Sequence, residues 1–193
     1  MTDVDYSVRT QSSSADNLFV HRWSPRAFKK FLIEDESIKK IFDAARWSPS
    51  CSNEQPWRFY TAKCSSSIFP NFVSFLSEGN QTWAKTASLI GFLTAKRFFE
   101  RKEMINNLSD FDCGAAWMSL TLQASLEGLH THGMGGINRE KVSEYLKLDI
   151  DKEKVLMGFV IGKLAESEVI EVSLRSREKP SDRKDLISLW KEF

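Results

Sequence analysis

The chain has only three cysteines, Cys51, Cys64 and Cys113, far apart and without a CxxC pair. That leaves no basis for a disulfide framework or a zinc site, and reduced thiols in a cytoplasmic protein are the expectation. A dominant charge is missing too. With 27 basic and 26 acidic residues the formal charge is +1, unlike the strongly basic footprint of a nucleic-acid binder. The apolar run Leu89 to Ala95 is far too short to span a bilayer. The acidic start Met1-Thr2-Asp3-Val4-Asp5 lacks the apolar stretch of a signal peptide. There is no GxGxxG after a first strand, no Walker A motif, no GxSxG, and no Ser/His/Asp or Cys/His set.

What is present is an ordinary globular composition, 41% hydrophobic and 27% charged over 193 residues, enough for one domain with a real core. Fourteen Phe and six Trp are many for this length. Aromatics on that scale fill a core or cover an interface.

Residues 1–18 are polar and read as a loose N-terminal arm, with a single domain over 19–193. Ile38, Ile41, Phe42 and Ala45 fall on one helical face after Glu34, and Pro49 stops that helix. Trp57 to Ala62 alternates as a strand, and 65–79 reads as a short helix. Leu89 to Ala95 and Val155 to Gly162 read as buried strands, while 97–109 stays untyped. The stretch 112–128 is the clearest helix, almost without charge until Glu127, as befits a core or a subunit interface. Leu129 to Met134 is a short strand, Gly135-Gly136 a turn, and Asn138 an N-cap for a helix over 139–147. The charged tail from Glu166 has Leu186, Ile187, Leu189 and Trp190 as apolar exceptions. The pattern fits an α+β fold: a three-layer α/β/α sandwich around a mixed, mainly antiparallel sheet.

Chemistry concentrates in a few loops. Arg22-Trp23-Ser24-Pro25-Arg26 can place two guanidinium forks and a hydroxyl around one anion, and such forks match phosphate geometry. The plainer reading is a solvated cationic loop. In Pro49-Ser50-Cys51-Ser52-Asn53-Glu54-Gln55-Pro56, Asn53 and Gln55 offer donor and acceptor together, which suits a flavin edge; the alternative is an ordinary polar connection. Gly133-Met134-Gly135-Gly136 lets backbone N–H groups approach a ligand, or simply turns into the next helix. Arg175, Arg177 and Lys179 form a second cationic cluster or a charged tail. His21, His130 and His132 lack a third ligand at a persuasive spacing, so no metal site is expected.

Taken in order, Arg22 to Phe28, Ala44 to Ser50, Asn53 to Phe59, Gly114 to Trp117 and His132 to Gly136 resemble the FMN-dependent nitroreductase family, over about residues 20–185. The resemblance implies an intertwined homodimer with FMN at its interface, reduced by NADH or NADPH in ping-pong fashion. It implies that Arg22, Ser24 and Arg26, flanked by Trp23, hold the phosphate and ribityl chain, and that Arg175 and Arg177 return to the phosphate. Asn80 is then at the pyrimidine side of the ring. Pro49, Ser50, Cys51 and Asn53, with Gln55 beside them, come from the partner subunit, while Met134, Gly135 and Gly136 bring backbone groups to the flavin. No catalytic side chain is implied, because flavin N5 carries the hydride.

This chain departs from the family at Cys51, where serine is frequent, and at Gly133, which is small enough to leave a roomier pocket. The sequence from Arg175 to Pro180 fits two registers. The activity implied is reduction of nitroaromatics, quinones or similar electron-poor small molecules. Competing readings are a specialised reductase (enal reduction, dehalogenation or flavin cleavage), a non-catalytic flavin store or sensor, and an interaction module that ignores flavin.

Overall fold

The structure is a computed structural model that describes residues 4–10, 13–101 and 104–193. Gln11-Ser12 of the N-terminal arm and Lys102-Glu103 of the untyped segment lie outside the described residues. In chain order the elements are α1 (Ser7–Thr10), α2 (Asn17–Val20), β1 (Phe28–Lys29), α3 (Asp35–Arg46), β2 (Trp57–Lys63), α4 (Phe69–Ser74), α5 (Glu78–Ala84), β3 (Leu89–Lys96), α6 (Ser109–Leu126), β4 (His130–Met134), α7 (Arg139–Tyr145), β5 (Glu153–Leu164) and α8 (Val172–Arg175). Single 3-10 turns lie at Cys51–Asn53, Ser167–Val169 and Leu186–Ser188.

The sheet runs β1-β5-β3-β2, with β4 also paired to β5. Every pairing among the described strands is antiparallel, so the mixed character expected of the sheet is not seen there. Side chains alternate across each strand, and both faces are covered. Ile90 and Phe92 of β3 join Phe69, Phe72, Trp83 and Val142 from α4, α5 and α7 on one side. Leu89, Leu93 and Ala95 join Ile41, Ala45, Cys113, Ala116 and Leu120 from α3 and α6 on the other. This is the three-layer α/β/α sandwich.

One irregularity matters. The β3–β5 register shifts between Leu93 and Thr94, leaving Leu156 as an extra residue in β5. The bulge reverses the alternation, which lets Val155 and Val160, five residues apart, reach the same core layer.

The segment read as a loose arm, residues 1–18, carries α1 and the start of α2, and Arg9 within it is buried, 6% exposed. Asp16 caps α2 by accepting from the Leu18 amide. Helix α6 buries Cys113, Ala116, Leu120 and Ala124 on one side only. Phe111, Met118 and Leu126 on its outer side are exposed, Phe111 at 77%.

Candidate functional site

Pro25 fixes φ and removes a backbone donor, and it lies where the chain passes from α2 into β1. The resulting loop, Arg22 to Arg26, forms one wall of a cleft of about 460 Å³, and Ser176 to Arg183 forms the other. Arg9 joins them. Its Nη1 donates to the carbonyls of Val20 (3.0 Å) and Arg22 (2.7 Å), and its Nε donates to the Ser181 carbonyl (2.7 Å). Arg22 Nη1 donates to Ser24 Oγ at 3.3 Å.

The cleft gathers charge of one sign. Arg22, Arg26, Arg177, Lys179 and Arg183 all line it, and among the described residues none of them forms a salt bridge. Burial pushes the Arg22 pKa down, and Arg183 adds to that. Burial and then Arg177 do the same to Arg26, against a weaker opposing pull from Glu178. Guanidiniums crowded in this way repel one another, and an anion of phosphate geometry would relieve that repulsion and match their forks.

The floor is His132 of β4. Its Nδ1 lies 2.8 Å from the Pro25 carbonyl, and its ring lies 4.6 Å from that of Trp83. Burial pushes the His132 pKa down to about 4. The neutral ring therefore donates from Nδ1 to Pro25, which leaves Nε2 as an acceptor. Trp23 is buried and meets His130 edge-on, with ring centres 6.4 Å apart. Among the described residues no group of three or more His, Cys, Asp or Glu side chains could hold a metal ion.

Beyond the end of β4, Gly136 is held by two donors to its carbonyl, Ser77 N–H at 2.9 Å and Asn80 Nδ2 at 3.1 Å. A Cβ on Gly136 would meet Ser77 Oγ at 2.7 Å and Asn80 Nδ2 at 2.9 Å, so only glycine allows this approach. At Gly135 a Cβ would meet nothing within 4 Å. Its backbone faces a shallow depression of about 650 Å³ shared with Ser77, Gln81 and Lys141. Met134 is buried behind it. Gly133 leaves no spare room: a Cβ there would meet Met157 Cε at 2.9 Å and Trp117 at 3.4 Å. The partly buried side chains of Met157 and Trp117 occupy the space beside it.

The third sequence-predicted segment lies elsewhere. After Pro49, Ser50 Oγ accepts from the Gln55 amide at 2.9 Å, and the Cys51 amide donates to the buried Asp112 carboxylate at 3.1 Å. Ser52, Asn53 and Gln55 take φ values of 53°, 56° and 52°. Left-handed backbone at three non-glycine residues is costly, and such strain gathers at ligand sites and switches. The loop lines its own cleft of about 470 Å³ with Phe99, Glu100 and Arg101, and none of its residues lines the arginine cleft of the same chain.

Arg175 also falls outside the cleft. It donates to the carbonyls of Glu168 (3.0 Å) and Ile170 (3.3 Å), so of the two arginines expected at one anion only Arg177 is there. Lys179 lines the cleft with it. Arg9, His132 and Arg183 also line this cleft, which the sequence did not indicate. Arg9 belongs to the N-terminal arm and Arg183 to the charged tail, and no local pattern links either to the arginine loop.

The sequence pattern of the nitroreductase family matches residues 20–163. The chain belongs to the nitroreductase family. No curated protein matches it. It is similar to a solved oxidoreductase containing FMN, 42% identical, with a TM-score of 0.92 over 100% of this chain and 97% of that one. A Desulfovibrio desulfuricans structure described as a nitroreductase in complex with FMN is 20% identical, with a TM-score of 0.73 over 93% and 98% of the two chains. An enone reductase of gut-bacterial fatty acid saturation is 21% identical, with a TM-score of 0.73 over 91% and 96%. The last two share the fold. In this nitroreductase-family chain the matched region holds the arginine loop, the strained loop and the Gly135-Gly136 turn, while Arg177, Lys179 and Arg183 lie beyond it.

Proposed function

We propose that this protein is an FMN-dependent NAD(P)H oxidoreductase, working as a homodimer on small electron-poor acceptors such as nitroaromatics or quinones. The observation that carries this reading is the arginine cleft, in which Arg22, Arg26, Arg177, Lys179 and Arg183 form no salt bridge among the described residues. Arg22, Arg26, Arg177 and Lys179 would take the phosphate, with Ser24 Oγ and His132 Nε2 available to sugar-chain hydroxyls. Gly135 would offer its backbone N–H on the open side of its turn, and Asn80 its amide oxygen. Both fit a polar ring edge.

When bound there, FMN would supply hydride-transfer chemistry between a nicotinamide donor and the acceptor. The protein contributes binding, orientation and charge. Cations near the site would favour an anionic reduced flavin.

The second copy has a physical rationale. Phe111, Met118, Leu122 and Leu126 lie on one outer stripe of α6, and Trp47 nearby in the fold is 75% exposed. An apolar stripe along a long helix is the usual face of a stable interface. Packing there would let the partner's strained loop, with Ser50, Cys51, Asn53 and Gln55, complete a site that one chain leaves open.

The test is to load the protein with FMN, remove oxygen, add NADPH or NADH, and follow the oxidised flavin band while measuring mass by light scattering. A dimer whose flavin bleaches quickly supports the reading. A yellow protein that stays oxidised with both nucleotides points to storage or sensing, and one that never turns yellow refutes the site.

A further inference from the structure

Glu178 is a carboxylate beside Arg26, Arg177 and Lys179, and its charge would oppose an anion in the cleft that these cations line. Its hydrogen bonds resolve this. Oε1 accepts the backbone N–H groups of Arg26 (2.8 Å) and Ala27 (2.7 Å), and Oε2 accepts that of Arg26 at 3.0 Å. The side chain thus grips the backbone beneath the arginine loop. Ala27 is fully buried and its carbonyl accepts the Ala165 N–H at 2.9 Å, so the gripped point is a fixed part of the sheet edge.

The segment that Glu178 belongs to has few other anchors. Arg177 and Glu178 donate their own amides back to Leu174 and Arg175 in α8, and Ser181 is held by Arg9. Arg183 bonds only within Ser181 and Asp182 among the described residues. Glu178 is therefore the direct side-chain tie between the C-terminal wall and the arginine loop, and it lies between the two cations, Arg177 and Lys179, that face the cleft.

We propose that Glu178 is a positioning residue for phosphate binding: by clamping the backbone of Arg26 and Ala27 it holds Arg177 and Lys179 over the anion. This rests on the reading of the cleft as the phosphate end of a flavin mononucleotide site. A clamp and a nearby negative charge make opposite predictions. As a charge, Glu178 weakens anion binding and its removal strengthens it. As a clamp, its removal releases two cations and weakens binding.

Two variants separate these cases. Glu178→Ala removes both bonds and the charge. Glu178→Gln removes the charge but keeps one oxygen, and Oε1 alone serves both N–H groups. Apoprotein is titrated with FMN and with riboflavin, which lacks the phosphate, and dissociation constants are read from flavin fluorescence. The expected result is FMN affinity about tenfold weaker in Glu178→Ala, riboflavin affinity within about twofold of wild type, and Glu178→Gln close to or tighter than wild type.

Glu178→Ala binding FMN as tightly as wild type overturns the clamp. So does an equal loss of FMN and riboflavin, which marks general damage, or a Glu178→Gln protein no better than Glu178→Ala. A wild-type protein that binds neither flavin overturns the site reading as a whole, whereas normal wild-type binding with an unaffected Glu178→Ala removes only the clamp.

Discussion

The imidazole of His132 donates from Nδ1 to the carbonyl of Pro25 at 2.8 Å, tying strand β4 to the middle of the arginine loop. Burial chiefly holds this ring neutral, with Arg26 and Arg22 adding to the effect and the Pro25 carbonyl opposing it. The folded pKa of about 4 lies below the ordinary 6.5, so the unfolded chain takes up a proton first as pH falls. Stability from this group is complete above 6.5 and is lost as pH falls toward about 4. Denaturant unfolding of the apoprotein across that window should fall more steeply for wild type than for His132→Asn, which can still donate to Pro25. Equal slopes would mean that the ring titrates as an exposed histidine does.

Arg22→Ala should weaken FMN about ten- to hundredfold, the value of one charge-assisted phosphate contact, and riboflavin much less. Equal FMN occupancy in wild type and variant would remove Arg22 from the phosphate. Because Arg183 repels Arg22, the variant apoprotein should lose little thermal stability.

Adjacent glycines should behave differently. Gly135→Ala meets nothing within 4 Å, so the apoprotein should melt as wild type does while FMN affinity drops, since the methyl points into the open depression. Gly136→Ala should lower the melting temperature itself, because the methyl displaces Ser77 and Asn80. Unchanged flavin affinity in Gly135→Ala would show that the ring does not approach this turn.

Glu153 gives a pH signature separate from the cleft. Only 3% exposed, it accepts from Tyr60 at 3.1 Å, from Thr94 and from Lys96. Burial alone would raise its pKa, but the bonds from Lys96, Thr94 and Tyr60 outweigh it and hold the carboxyl below the usual 4.5. Its stabilisation is therefore present above about pH 4.5 and lost as pH falls through the lower folded value. Glu153→Gln should cost about 1–2 kcal/mol at neutral pH and flatten the acid limb of the stability curve. An acid limb as steep as wild type would place the lost stability elsewhere.

Much of the fold was legible because its signals are local. Leu89 to Ala95 reads as a strand because burial on both faces makes it continuously apolar, and Asn138 reads as a cap because its side chain accepts from Lys141 three residues on. What escaped has no such signal. Strand β1 is two residues long and exists through its pairing with Leu164 and Lys163. Helix α5 contains Gly79, Asn80 and Thr82, poor helix formers held by the burial of Trp83 and Ala84. The expected helix over 65–79 is shortened because Leu76 leaves it to bridge Ile137.

The sequence by itself determined which loops carry arginines, amides and glycines, and therefore the kind of ligand they suit. Those are properties of side chains and of neighbours a few residues apart. Only the tertiary structure decided which cations share one cleft. Arg9, Arg26, Arg177 and Arg183 are brought together by Arg9 bonded to Ser181 and by Glu178 bonded to Arg26 and Ala27, while Arg175 is drawn off by two nearby carbonyls. Coulomb repulsion opposes such a gathering, and no local pattern records it. It is held by partly buried hydrogen bonds between segments more than 150 residues apart, with Glu178 and Arg26 separated by 152.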